Sequence, residues 1–313
     1  MDQKIAVVFP GQGSQRAGMG KDFYEQAAES RRVYEEASDA LGMNIAALCF
    51  TEDEKLNLTE YAQPCILTTE IAMLRALYSL YELSPACFGG HSLGEYTALV
   101  ASGALPLQDV LKIVHLRGKL MQEAVPAGVG GMVACISRDL DADRMKDSIA
   151  ELPIDVANIN SADQIVLSGV QAAMPQARER IAAELAEKPF RFVQLNVSAP
   201  FHSRFMSRIE DSFEDTLATA RRNLKPEAAA KVTSNYTGSF HSDNVEEIES
   251  RLVAQLSSTV KWKDNMHALA ACADIIYEIG PNRPLREFFR TIGVQCASVT
   301  TFSSAGRIFG GSN

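Results

Sequence analysis

The stretch Ala86-Cys87-Phe88-Gly89-Gly90-His91-Ser92-Leu93-Gly94-Glu95-Tyr96 constrains the fold more than any other part of this chain. A short apolar run ends in glycine, and Tyr96-Thr97-Ala98-Leu99-Val100-Ala101 then reads as a buried helix. The pattern is strand, sharp turn, helix. Gly90-x-Ser92-x-Gly94 fits the nucleophile-elbow spacing, in which a serine sits at a strained turn and flanking glycines avoid a Cβ clash. Such a turn lifts the Ser92 hydroxyl clear of the backbone. It also puts Ser92 at a helix start, where unpaired N–H groups and the helix dipole favour a developing negative charge.

Ile5-Ala6-Val7-Val8-Phe9 is a fully apolar β-type run, suited to an inner strand of a parallel sheet covered on both faces. Pro10-Gly11-Gln12-Gly13-Ser14-Gln15 follows, a loop able to bring backbone N–H groups close to a phosphate or an oxyanion. It matches neither a P-loop nor a dinucleotide fingerprint. With 313 residues, 46% of them hydrophobic, the chain has material for a large domain and a small one. A net charge of -9 argues against nonspecific nucleic-acid binding. The six cysteines are scattered, without a C-x-x-C pair, and read as small buried hydrophobes in a reducing compartment. No signal-peptide pattern and no run of about 18 apolar residues is present, so a cytoplasmic location away from membranes is expected.

Helical patterns are expected over Asp22 to Leu41, with a charged solvated face, over Thr68 to Leu80, and from Pro106 to about Ala124. The last carries an apolar stripe of Leu107, Val110, Leu111, Val114, Gly118 and Met121, and Arg117 falls about 60° from its centre. An inward arginine needs either an anionic ligand or a structural ion pair. From Gly128 the pattern becomes strand (Met132 to Ile136), helix (Asp141 to Glu151), strand (Asp155 to Asn160), strand (Gln164 to Ser168), helix (Ala172 to Leu185), strand (Phe192 to Val197). This βαββαβ order is that of a ferredoxin-like small domain, here residues 129–198, inserted into a larger α/β domain of residues 1–128 and 199–313. The larger domain resumes at Ser198-Ala199-Pro200. Strands are expected at Lys231 to Asn235 and Ala273 to Ile279, then a helix carrying Arg286 and Arg290, and a loosely held tail from Ser303 to Asn313.

A serine nucleophile needs a base, and histidine is the usual one. His91 adjoins the strained turn with its side chain pointing elsewhere, His115 faces away from the stripe, and His241 and His267 sit among polar residues and read as surface positions. Elimination leaves His202, at the domain junction.

Phe9-Pro10-Gly11-Gln12-Gly13-Ser14-Gln15, Tyr61-Ala62-Gln63-Pro64, Gly90-His91-Ser92-Leu93-Gly94-Glu95-Tyr96, Arg117, Ala157-Asn158-Ile159-Asn160, Pro200-Phe201-His202-Ser203 and Glu278-Ile279-Gly280-Pro281 together resemble the malonyl-CoA:acyl carrier protein transacylase family. The resemblance runs from residue 5 to about residue 290 and implies a hydrolase-like parallel sheet core. It implies Ser92 as nucleophile, His202 as base oriented by a backbone carbonyl near Gln255, and an oxyanion hole from the N–H groups of Gln12 and Leu93. Arg117 matches the arginine that takes the malonate carboxylate, and Phe201, Gln63 and Asn160 join it as substrate-binding residues. No metal or cofactor is implied beyond the substrate malonyl-CoA; the partner is an acidic acyl carrier protein, with Arg286 and Arg290 as a candidate basic contact. A monomer is expected. The rival readings are an acyl-carrier-protein hydrolase of the same fold, against which Arg117 speaks, and an inactive docking protein. Asn282, where the family usually has glycine, and Ser161-Ala162-Asp163, where it commonly has proline, depart from the pattern.

Overall fold

The computed structural model describes residues 3–126, 128–186, 188–197 and 199–311. Ser198, at the expected second junction, and Ser312 and Asn313 of the tail lie outside the described residues. Among the described residues ten strands occur in chain order: β1 (Ile5–Phe9), β2 (Pro85–Gly90), β3 (Gly130–Ile136), β4 (Ile154–Ser161), β5 (Gln164–Val170), β6 (Arg191–Gln194), β7 (Thr233–Ser234), β8 (Ser239–Phe240), β9 (Ile275–Ile279) and β10 (Cys296–Val299). The first sheet has the order β10-β9-β1-β2, all parallel. Its central strand explains the unbroken apolar run. Val7 and Phe9 pack into one apolar cluster, Ala6 and Val8 into another on the opposite face, and all four are fully buried.

The second sheet is antiparallel in the order β4-β5-β3-β6. Alternation along β3 divides its faces: Val133 and Cys135 pack with Met145, Ile149, Ala177 and Ile181 of the helices Ala142–Ile149 and Met174–Glu184, while Met132 and Ala134 turn to the main cluster. β4 is stitched to the rest of the molecule by Thr259 Oγ1 donating to the Val156 carbonyl at 2.6 Å and by Ile159 N–H donating to the Val260 carbonyl at 2.9 Å.

The structure revises several expectations. The helix expected over Asp22 to Leu41 is two, Lys21–Gln26 and Ala28–Leu41, broken where Ala27 is extended. The next begins earlier than the pattern suggests, at Thr59, and runs to Leu80 with Pro64 inside it. Pro64 cannot donate to the Glu60 carbonyl one turn back. His115 takes that carbonyl instead, its Nδ1 lying 3.0 Å away. The helix Leu107–Glu123 crosses this one so closely that a Cβ on Gly118 would lie 2.4 Å from the Thr59 carbonyl oxygen, and Arg117 is thereby set beside Gln63.

Within the expected strand Lys231 to Asn235, only Thr233–Ser234 is extended and paired, in a hairpin with β8, and Val232 bridges Phe88 at the edge of the first sheet. β10 carries no sequence-level expectation. The tail is not loose: Phe302–Phe309 is a helix, capped by Thr301 and anchored by Phe309 against Tyr277 and Tyr81, with ring centroids 4.8 and 5.4 Å apart. Asn282 is not among the residues with positive φ, so the departure from glycine there needs no left-handed backbone. All six cysteines are free, five of them buried and Cys272 half-buried.

Candidate active site

Because β1 and β2 are parallel neighbours, with Phe9 opposite Gly90, their following loops leave from the same end of the sheet. Ligand sites in open α/β sheets form at such carboxyl ends. Ser92 has φ 51° and ψ -99°, a strained conformation for a residue with a side chain. The glycines around it are obligatory. A Cβ on Gly90 would lie 2.0 Å from the Gly94 carbonyl carbon, and one on Gly94 would lie 2.2 Å from the Phe9 carbonyl oxygen.

Ser92 Oγ lies 2.7 Å from His202 Nε2, and His202 Nδ1 lies 2.8 Å from the Gln255 backbone oxygen. A carbonyl only accepts, so Nδ1 carries the proton and Nε2 presents its lone pair to the Ser92 hydroxyl. Burial, and next the positive charge of Arg117, lower the His202 pKa to about 3. The ring is therefore neutral at neutral pH. His202 itself has φ 55°, with Arg204 beside it forked onto both oxygens of Asp155 in β4.

Arg117 is 1% exposed. Its Nη1 donates to Gln63 Oε1 at 2.9 Å, and its Nη2 donates to Gln255 Oε1 at 2.8 Å and to Ser92 Oγ at 3.2 Å. These partners are neutral, which removes the structural ion pair as the reason for an inward arginine. Among the described residues Nε has no hydrogen-bond partner, and the guanidinium carbon sits 5.1 Å from the centre of the Tyr96 ring.

A cavity of about 430 Å³ opens over these groups, lined by Gln12, Leu93, Arg117, Phe201 and His202 together with the second sheet. Among the described residues, the N–H groups of Gln12 and Leu93 donate no hydrogen bond, whereas that of Ser92 is tied to Asn235 Oδ1 at 2.7 Å. Gln63 and Asn160 also line the cavity, but both side chains are engaged: Gln63 with Arg117, and Asn160 with His91 Nε2 at 2.8 Å and Gln164 Oε1 at 2.8 Å. The cavity side of His91 was not expected from its place on the turn. Among the described residues no group of three or more His, Cys, Asp or Glu is placed to hold a metal.

A model of the acyl transferase domain matches residues 6–287. The malonyl CoA-acyl carrier protein transacylase of Bacillus subtilis is 39% identical over 287 residues, covering 90% of this chain and 88% of that protein. This chain belongs to the malonyl-CoA:acyl carrier protein transacylase family. A solved acyl-carrier-protein S-malonyltransferase from Burkholderia pseudomallei superposes with a TM-score of 0.89 at 36% identity, covering 98% of this chain and 99% of that one. A type II polyketide malonyl-transacylase solved in complex with its acyl carrier protein superposes at 0.87 with 30% identity, over 98% and 99%.

The structure sets Gln12, Gln63, Ser92, Leu93, Arg117, Asn160, Phe201 and His202 around the cavity, with Gln255 behind Arg117, and places beside them three polar residues to which the sequence reading gave no role. Asn158 is 4% exposed, lines the cavity and makes no side-chain hydrogen bond to a described residue. Its signal was available, since it lies two residues from Asn160 on a strand. Asn235 and His241 are the others. His241 was expected at the surface and is buried, its Nε2 2.9 Å from Glu95 Oε1; His267 is exposed as expected.

Proposed function

We propose that this chain moves the malonyl group of malonyl-CoA to the pantetheine thiol of an acyl carrier protein through a malonyl ester on Ser92. The observation that carries this reading is the placing of a buried, neutrally partnered guanidinium 3.2 Å from the hydroxyl that His202 is set to deprotonate. Ser92 Oγ attacks the thioester carbonyl as its proton passes to His202 Nε2. The free N–H groups of Gln12 and Leu93 receive the oxyanion. Collapse expels the CoA thiolate, which takes the proton back from His202. In the second half the carrier thiol gives its proton to His202 and attacks the ester carbonyl, and Ser92 Oγ leaves, taking that proton back from His202 Nε2. Only an acyl group and protons move, so the reaction balances without a cofactor.

Arg117 supplies selectivity. Its fork matches a carboxylate with two hydrogen bonds, and an acetyl group leaves the buried cation unpaired. It also couples charge to catalysis. The Arg117 charge is one cause of the low proton affinity of His202, and a bound malonate carboxylate offsets that charge, so the substrate itself strengthens the base. Phe201 closes the cavity beside the base, and Gln63 and Gln255 aim Arg117.

We further propose a hydrolase-like core of residues 1–128 and 199–313 with a ferredoxin-like insertion at 129–198, supported by the two sheet orders and the separate apolar cluster of the second. Arg286, exposed on the helix Pro284–Thr291 whose Pro284, Leu285 and Phe288 line the cavity, is the proposed basic contact for the carrier; Arg290 is already paired with Glu287 at 3.1 Å. The site is complete within one chain, consistent with a monomer, and six free thiols suit the cytoplasm. Among the described residues no helix is long and apolar enough to cross a membrane.

Incubation with malonyl-CoA followed by intact-mass measurement tests the intermediate. The wild-type chain gains one malonyl group and Ser92→Ala gains none; an unchanged gain in the variant moves the nucleophile elsewhere.

A further inference from the structure

We propose that His241 and Glu95 form a buried positioning pair that fixes Gln255, and through it both Arg117 and His202. The inference rests on the malonyl-transfer reading of the site and adds two residues to it. Gln255 ends the helix Val245–Ala254 and touches both halves of the machinery, its backbone oxygen holding His202 Nδ1 and its side-chain oxygen holding Arg117 Nη2. Its remaining polar group, Nε2, donates to Glu95 Oε2 at 2.7 Å and to the Ser92 carbonyl at 3.2 Å. An amide flip would present oxygen to that carboxylate and nitrogen to the guanidinium, so Glu95 dictates the orientation in which Gln255 can receive Arg117.

Glu95 is in turn fixed from three sides. It is fully buried, and besides Gln255 it accepts the Asn235 N–H at 2.8 Å on Oε2 and His241 Nε2 at 2.9 Å on Oε1. A carboxylate only accepts, so His241 must carry its proton on Nε2. Its Nδ1 is buried with no hydrogen-bond partner among the described residues, so Nε2 is the ring's one anchored nitrogen there. The geometry therefore places a proton on Nε2, facing Glu95. The β7–β8 hairpin delivers both outer donors, Asn235 directly after its first strand and His241 directly after its second. Asn235 continues upward, with Oδ1 accepting the Ser92 N–H and Nδ2 donating to the Gly90 carbonyl at 2.8 Å. Without the His241 donor, Oε1 loses its one partner among the described residues, and the carboxylate, held then only through Oε2, can turn and shift Gln255 with it.

Two variants of the full chain separate positioning from packing. In His241→Gln the amide nitrogen reaches to about where Nε2 stands; in His241→Asn it falls short. Acylation kcat/KM is measured with malonyl-CoA and acetyl-CoA on both variants and on wild type. The malonyl-to-acetyl ratio is expected to fall about tenfold in His241→Asn, the scale of losing an outer support of a binding group, and to stay within about threefold of wild type in His241→Gln. Equal ratios in the two variants overturn the proposal. A wild-type chain that accepts no malonyl group overturns instead the transfer reading beneath it.

Discussion

Beneath Ser92, the cavity floor is a continuous run of hydrogen-bonded polar groups, from His241 through Glu95 and Gln255 to Arg117 and His202. The side contributed by β3, β6 and the residue after it is the opposite in kind: Met132, Ala134, Ile136, Val193 and Leu195 offer apolar surface and no charge. The floor lies deep in the core, whereas Val193 is 42% exposed. The difference separates two tasks. In the proposed reaction, charge recognition and bond making fall to the polar floor, and the side formed by β3 and β6 offers only apolar contact. That division suits a reaction in which the acyl group stays and the thiol is exchanged.

The contrast breaks first at the elbow. In Gly94→Ala the added methyl meets the Phe9 carbonyl, so Ser92 must shift; acylation is expected to fall by about 100-fold or more, the scale of a displacement near 1 Å, with a lower melting temperature. Activity near wild type would show that the floor tolerates movement. Val193→Ser probes the other region, where a partly exposed side chain contributes about 0.7 kcal/mol or less. KM for malonyl-CoA is expected to rise by about threefold at most, with the malonyl-to-acetyl ratio unchanged; a changed ratio would mean that the second sheet also selects the acyl group. The smallest expected effect is that of pH. His202, with its pKa lowered to about 3, stays neutral through the working range, so acylation kcat/KM should be flat from about pH 8 to about pH 5. An ordinary histidine, with a pKa of about 6.5, would lose more than tenfold over that range. A half-maximal point near that ordinary value would place His202 in water rather than in the floor.

Much of the floor was legible because its signals are local. The glycines around Ser92 mark a turn that only they permit, the helical phase of Arg117 turned it inward, and the run Ile5 to Phe9 carried no polar face because both faces are covered. His202 was reached by elimination, and its φ of 55° had no local warning. What stayed hidden depends on distant partners. His241 sits among polar residues in sequence, and it is buried where Glu95, far off in the chain, accepts a hydrogen bond from it. The last helix looked like a tail because its anchor, Phe309 on Tyr277, is a tertiary contact. β10 is short and is held by pairing with β9, which no periodicity over four residues can announce.

The pairing of the Arg117 cation with the Ser92 hydroxyl is tested most directly by acyl-enzyme formation in Arg117→Ala, followed side by side with malonyl-CoA and acetyl-CoA. Malonylation should fall by about 100-fold, the cost of a charge-assisted pair, while acetylation holds or rises. An equal loss on both substrates would contradict a selective role for the guanidinium and leave it a structural support.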